Sequence, residues 1–566
     1  MADSDGPTIG SVADPEAVCV IGSGPVGLAL SLRLAGVGRS VVLVDSGRFA
    51  ADGQDPGLTG GRVTRAADAP DRTDPTLIAA GSLYQYLRSD YLVASRYLGS
   101  GGAANRWLVK GRPDGEHHVR LAGADPADFD ARPDLDIPAW ATPAGDVLDR
   151  SAPALDFFDL PDDAFETPTG QPPTDAIDLD PALLRRRLFR FARADVVHRV
   201  RLAEAAAHPG IRMLSGQHLV RIAADRGEQV RSVDTVDGRN LVTTIEAGCY
   251  VLALGGIENT RQLLLAAEEG QLADPNDVLG RWFCDHPHGR LGFVDLDPIN
   301  AAGIAETYDF VECGDTPALR GFELTPAAAR EHELLRFSIE LAGRPAAFRT
   351  RGMTALARTA DGVQARSVRE VVTALPGLAR SPVGAFPLAV AAARGRVHGP
   401  HLGGWSDPAT RLHDVETVAV EAMFEQRPSP DNRIRLGPDR DRFGRRLPVL
   451  QWSWSSKEVA SINRSADLVA EAFAEVGAGS FVTMRSLGQG DIPRAGSGWH
   501  HMGGTRQSDD PADGVVDASN RVHGVANLYV AGSSVFPNSV GYANPTLTAV
   551  ADAIRLADLL AADPAP

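Results

Sequence analysis

Short apolar runs, each closed by glycine or an acid, punctuate this chain and mark its buried strands. Residues 17–21 form the first, long enough for a buried strand. The string Gly22-Ser23-Gly24-Pro25-Val26-Gly27 follows, and residues 28–34 then read as helix. A second apolar strand, residues 40–44, ends at Asp45. Strand, glycine turn, helix and strand in that order make one βαβ unit. Residues 250–254 read as a third buried strand that runs into Gly255-Gly256 and a helix over 257–267. Near the end, residues 528–531 and 545–560 repeat the strand-then-helix logic. Residues 211–224 read as strand, turn, strand, and 183–194 as helix. Between about 290 and 490 the pattern changes. Strand-like 290–294 and 433–436 mix with helices such as 459–476.

The polar stretches read as connections. Residues 1–16 look like a flexible tail and 50–75 like loop. Residues 125–181, dense in Asp and Pro, look like a long loop or lid. A Pro- and Ala-rich piece, 370–404, suits a lid or an oligomer contact. Nucleotide-binding pieces at the start, middle and end predict an α/β protein with an inserted α+β domain. The expected division is a tail at 1–16, one Rossmann-like domain from 17–110, 196–290 and 495–566, and a substrate domain with a mixed or antiparallel sheet from 111–195 and 291–494.

Composition narrows the partners. At 566 residues the chain is long enough for two or three domains. With 73 acidic against 56 basic residues the net charge is −17, which argues against nucleic acid, whose binders must neutralise phosphates. Four cysteines make no disulfide framework and fit no metal spacing. The first residues lack a basic, then apolar, leader, and no run approaches the roughly 20 apolar residues of a membrane span. A cytoplasmic enzyme of small molecules is the expectation. Oligomeric state is left open.

The glycines carry chemistry. Gly22 permits the tight turn, Gly24 lets a pyrophosphate approach the backbone, and Gly27 lets the helix pack on the sheet. The helix start offers unpaired N–H groups to phosphate. Asp45, 45 − 27 = 18 residues past the last glycine, suits ribose hydroxyls. This motif by itself does not separate FAD from NAD. Toward the end, His500-His501-Met502-Gly503-Gly504-Thr505 precedes Tyr542-Ala543-Asn544-Pro545-Thr546, where Asn544 stands at a helix N-cap and Pro545 at the first helical position. A neutral imidazole suits removal of an alcohol proton. His286 and His288 flank Pro287 and read as a structural turn in preference to a metal site, so no metal is expected.

These strings, with Gly101-Gly102 to Trp107, Gly255-Gly256-Ile257-Glu258-Asn259 and Gly280-Arg281 to His286-Pro287, resemble the GMC (glucose–methanol–choline) oxidoreductases, FAD enzymes, and most closely their pyranose oxidase and glucoside 3-oxidase branch. The resemblance implies that His501, in His-x-x-Gly-Thr spacing, is the catalytic base and Asn544 the second polar residue. It implies cofactor contacts at Gly22 to Gly27, Asp45, Ser100, Gly101, Gly102, Asn105, Val220, Gly532, Ser533, Asn544, Pro545 and Thr546. Arg106 stands where some pyranose oxidases carry a flavin-linking His, so FAD is expected to be noncovalent. His500 and Gln426 are weaker candidates for substrate contact. The implied reaction oxidises a C–OH group, a secondary alcohol of a sugar, glycoside or cyclitol, with hydride passing to flavin N5 and electrons leaving to O2 or a quinone. Alternatives are a lyase with structural FAD, an oxidase of a steroid- or polyketide-type alcohol, and a nicotinamide-dependent or binding protein.

Overall fold

A computed structural model describes residues 8–47, 56–64, 91–107, 109–110, 117–166, 177–225, 227–295, 304, 307–308, 310–313, 316–344, 417–483 and 496–562. Segment 370–404 lies outside these residues. The helices used below are α1 (Pro25–Gly36), α2 (Gly256–Glu268), α3 (Ser456–Glu475) and α4 (Pro545–Ala562).

Three distant stretches meet in one sheet. Its strand order is Ile211–Ser215, Val41–Asp45, Thr8–Ile21, Val242–Leu252, Gln229–Val236 and His218–Asp225, with Leu528–Val530 also paired to Val242–Leu252. The first four strands and Leu528–Val530 are parallel, and Val20, Val251 and Tyr529 lie in register. Val18, Val20, Val41, Val42, Val44 and Val251 are all buried. That suits a parallel sheet covered on both faces, where β-branched residues fit the pleat. α1 packs on α4, and Arg33 holds Asp558 at 2.7 Å.

A second, larger sheet is antiparallel throughout its described pairs. It runs Ser480–Thr483, Pro287–Asp295, Thr417–Phe424, Phe337–Arg344, Thr316–Leu324, Leu184–Arg193, His117–Leu121 and Val109–Lys110. A small third sheet joins Arg433–Arg440, Arg446–Gln451 and Arg62–Thr64. The expected α/β class with a mixed or antiparallel second sheet is what forms. Among the described residues no helix is long and apolar enough to cross a membrane.

Four local expectations are corrected. Residues 183–194 are not helix. Leu184–Arg193 is a strand between Thr316–Leu324 and His117–Leu121. Its Leu184 and Leu188 fit a helical spacing, but Phe189, Arg190, Phe191 and Ala192 are buried as well, and cross-strand pairing overrides the local pattern. The tail is strand from Thr8, because main-chain pairing with Val242 to Ala247 needs no apolar side chains. Much of 125–181 is packed. The Asp and Pro residues there start helical turns: Asp125 accepts from the N–H of Ala127 and, with Asp128, closes a capping box, while Pro126 and Pro133 take first helical positions. Trp140 sits 4.6 Å from the rings of both Phe129 and Phe536, so this segment belongs to the core. Finally, His286 and His288 flank no turn, since Pro287–Asp295 is a strand of the second sheet.

Candidate active site

The nucleotide end is built by close approach. Gly22 holds φ at 117°, and a Cβ there would fall on the Ala253 carbonyl; a Cβ on Gly27 would fall on the Gly22 carbonyl. Only glycine lets α1 start this close to the strand behind it. Gly24 precedes α1 without a side-chain cap and Pro25 is its first residue, so the first-turn N–H groups face outward unclaimed by a cap. The second glycine loop folds onto the first. A Cβ at Gly102 would lie 3.1 Å from the Gly24 Cα, and the Gly101 N–H is donated to Ser23 Oγ at 3.3 Å. Asn105 steadies this loop by donating to the carbonyls of Ser100 (2.8 Å) and Gly102 (3.0 Å).

Asp45 lies between the loops, 1% exposed. Ser23 Oγ donates to its Oδ1 and Ser100 Oγ to its Oδ2, the latter at 2.6 Å. A carboxylate offers about four lone-pair positions, so two remain for ribose hydroxyls. The Gln217 N–H is donated to the Asp45 carbonyl at 3.0 Å, just before the strand His218–Asp225 that carries Val220. Gly532 sits near Val26, and Ser533 Oγ donates to the His501 carbonyl at 2.5 Å. Arg106 turns toward the Tyr97 ring, 5.9 Å away.

The two adjacent histidines part company. Residues 500–502 are extended, with Met502 bridged to Cys284, so successive side chains point to opposite sides. His501 Nε2 lies 3.0 Å from Ser95 Oγ, with the Tyr91 ring 5.5 Å away on edge and Phe283 at 6.0 Å. Burial and then the nearby Arg96 push its pKa down to about 3. His500 Nε2 lies 3.0 Å from Asn544 Nδ2, and its Nδ1 lies 2.9 Å from His286 Nδ1. Burial, then His286, His288, Arg120 and His501, holds His500 well below the usual histidine range. The structure therefore brings His500 to Asn544 and turns His501 onto Ser95.

Asn544, at the N-cap position of α4, is 5% exposed, and its Oδ1 is buried without a hydrogen bond. The amide faces His500 and does not cap the helix through its oxygen. Gln426 is fully buried; its Oε1 accepts from the Asp285 N–H (2.8 Å) and Trp452 Nε1 (3.3 Å), and its Nε2 has no partner. Asp285 Oδ1 accepts the N–H of His286 (2.7 Å) and of His500 (2.9 Å), and its Oδ2 accepts the Tyr91 hydroxyl (2.7 Å). Sequence reasoning missed Tyr91, Ser95, Asp285 and Ser539 and misread His286. The adjacent pair Asp285-His286 was a legible signal. Among the described residues no group of three His, Cys, Asp or Glu could hold a metal ion.

The model of the GMC oxidoreductase family matches residues 428–553, a span that includes His500, Gly532, Ser533 and Asn544. Over that span the chain is similar to the GMC oxidoreductases. The chain is 25% identical to 6'''-hydroxyparomomycin C oxidase of Streptomyces lividus, over 96% of its own length and 92% of that protein. It is 31% identical to paromamine 6'-oxidase of Streptomyces fradiae over 158 residues, which is 28% of either chain. Among solved structures, formate oxidase of Aspergillus oryzae superposes with a TM-score of 0.50 at 14% identity, over 98% of this chain and 99% of that one, a likeness of fold alone. Asp45 offers a direct test of the nucleotide end. Asp45→Ala removes a charged acceptor worth about 1.5–3 kcal/mol. The FAD dissociation constant, read by fluorescence on dilution, should rise roughly 10- to 100-fold.

Proposed function

We propose that this chain oxidises a hydroxyl of a sugar or amino-sugar alcohol, with His500 as the base and Asn544 as its partner. The observation that carries the reading is the 3.0 Å approach of His500 Nε2 to Asn544 Nδ2 at the start of α4. Bound FAD supplies the two-electron acceptor that takes hydride from the carbinol carbon. Gly22 to Gly27, Asp45, Ser100 to Gly102, Asn105, Val220, Gly532, Ser533 and Asn544 to Thr546 hold it noncovalently, because Arg106 offers no nucleophile to the ring. The glycine cradle and the lone pairs left on Asp45 support that assignment. His500 Nε2 takes the hydroxyl proton, and the amide of Asn544 steadies the same oxygen as it becomes a carbonyl. His501 acts from the other side of the segment as a packing residue against Ser95. The first sheet carries the nucleotide and the antiparallel sheet walls the substrate side.

The substrate class rests on two considerations. Two relatives bear the names of aminoglycoside oxidases. The net charge of −17 favours cationic substrates by long-range attraction. Anaerobic mixing tests the reading. Sugars, glycosides, aminocyclitols and aminoglycosides are added to the yellow protein, and absorbance near the flavin band is followed. Amino-sugar alcohols should bleach it, more slowly as salt rises. Bleaching by no alcohol in the panel would remove the proposal.

A further inference from the structure

His286 is fully buried and lies outside the pair just proposed. We propose that His286 is a positioning residue that fixes the tautomer of His500, so that the unprotonated Nε2 faces Asn544 and the incoming hydroxyl. The inference rests on the His500–Asn544 reading and adds to it.

The Ser539 carbonyl fixes one end of the chain of hydrogen bonds, because it cannot reverse its role. His286 Nε2 lies 2.8 Å from the Ser539 carbonyl, and a carbonyl only accepts. His286 Nε2 therefore carries the hydrogen. A neutral imidazole has one N–H, so His286 Nδ1 is a lone pair. Its partner at 2.9 Å, His500 Nδ1, must donate. His500 then carries its hydrogen on Nδ1 and its lone pair on Nε2. The group facing that lone pair, Asn544 Nδ2, is an amide donor. All hydrogen bonds run one way, from Asn544 through His500 and His286 to Ser539.

Both rings stay neutral in this arrangement. Burial brings His286 down to about 4, with the Ser539 and Gly541 backbone pulling upward and Arg120 downward. The charged and titratable groups around His500 are His286, His288, Arg120 and His501, all of which disfavour an imidazolium. Asp285 is adjacent, and its Oδ1 accepts the backbone N–H groups of His286 and His500. A carboxylate in the place of His286 would orient His500 equally well while stabilising its charged form. A neutral histidine orients it without that cost. The geometry is held from behind. Ser539 Oγ accepts the Gln426 N–H (3.1 Å) and donates to the Gln426 carbonyl (2.9 Å), which anchors the Ser539 carbonyl. The two rings meet edge to face, 5.0 Å apart and 82° between planes.

The test uses His286→Phe, which removes the acceptor at similar shape, and His286→Asn, whose amide oxygen can replace Nδ1. The FAD-loaded proteins are labelled with ring-15N histidine, and the His500 signals are identified by their loss in His500→Gln. The parent and His286→Asn should give a protonated Nδ1 and a lone-pair Nε2 at His500. His286→Phe should give a mixture or the opposite tautomer, with the limiting rate of anaerobic flavin reduction lowered roughly 10²-fold and half-saturation unchanged. A protonated Nε2 on His500 in the parent, or an unchanged tautomer in His286→Phe, would overturn the inference. If His286→Phe does not fold, the parent spectrum decides alone. If His500→Gln reduces its flavin at the parent rate, the base assignment fails while the tautomer result is still read independently.

Discussion

His500→Ala lowers the rate of anaerobic flavin reduction by about 10²–10⁴-fold, the contribution of a positioned general base. His501→Gln leaves the chemical step close to the parent rate, since that ring faces Ser95 and not Asn544. The pH profile carries the same signature. The base must be neutral to act, and burial, then the neighbouring histidines and Arg120, hold His500 well below the usual histidine value. The neutral form therefore persists into acid, and kcat/KM stays flat as pH falls through 6.5. Stopped-flow reduction across pH, on parent and both variants, checks this. A large loss in the His501 variant alone would return the base role to His501, and a sharp acid limb near pH 6.5 would contradict a buried, neutral base at either position.

The second large effect is on stability. Arg336→Ala should destabilise the fold by about 3–5 kcal/mol, because it strips the cation from buried carboxylates. Arg336 reaches Asp128 at 2.8 Å and Glu323 at 3.2 Å, and its backbone N–H is donated to Glu425 at 2.9 Å. Tyr542 donates to Glu323, and Arg187 donates to the Tyr542 hydroxyl at 3.2 Å. Arg132 holds Glu425. The cluster braces the chain two residues before Asn544. Arg336→Lys should fall between parent and Ala, since it keeps the charge and loses the two-pronged geometry. Burial already raises Asp128 to about 6, against the pull of Arg336. A carboxyl with a raised folded value contributes stability below its unfolded value and loses it as pH rises through the folded one. Without Arg336 that value rises further. The gap between parent and Arg336→Ala should therefore narrow as pH drops from 7 toward 5. Thermal scans at several pH values read it, and a gap that widens in acid would contradict the account.

Much of the nucleotide end was legible in the sequence. The requirement at Gly22 and Gly27 is steric and local: a strand turning into a helix within a few residues leaves no room for a Cβ, whatever the rest of the chain does. Asp45 was legible because a strand end is set by the same short unit. The helix start at Pro545 was legible for the same reason, since proline at a first turn is a local signal. Residues 184–193 were not, because their apolar spacing is compatible with two local structures and only pairing on both edges chooses strand. Residues 126–158 were misjudged because Asp and Pro there mark helix starts packed on a core that the local composition does not reveal.

The sequence by itself determined the backbone approach that admits a dinucleotide and the presence of imidazole and amide near the carboxyl end. Those are consequences of bond geometry over a few residues. Only the tertiary structure decided which of two neighbouring imidazoles meets Asn544. The His-x-x-Gly-Thr spacing pointed to His501, but an extended segment merely sends the two rings opposite ways, and spacing does not say what each ring meets. The choice is made by partners far along the chain: His286 lies 214 residues from His500, and Ser95 lies 406 from His501. Contacts at that separation form only when sheets assemble from distant strands, so no local pattern encodes them.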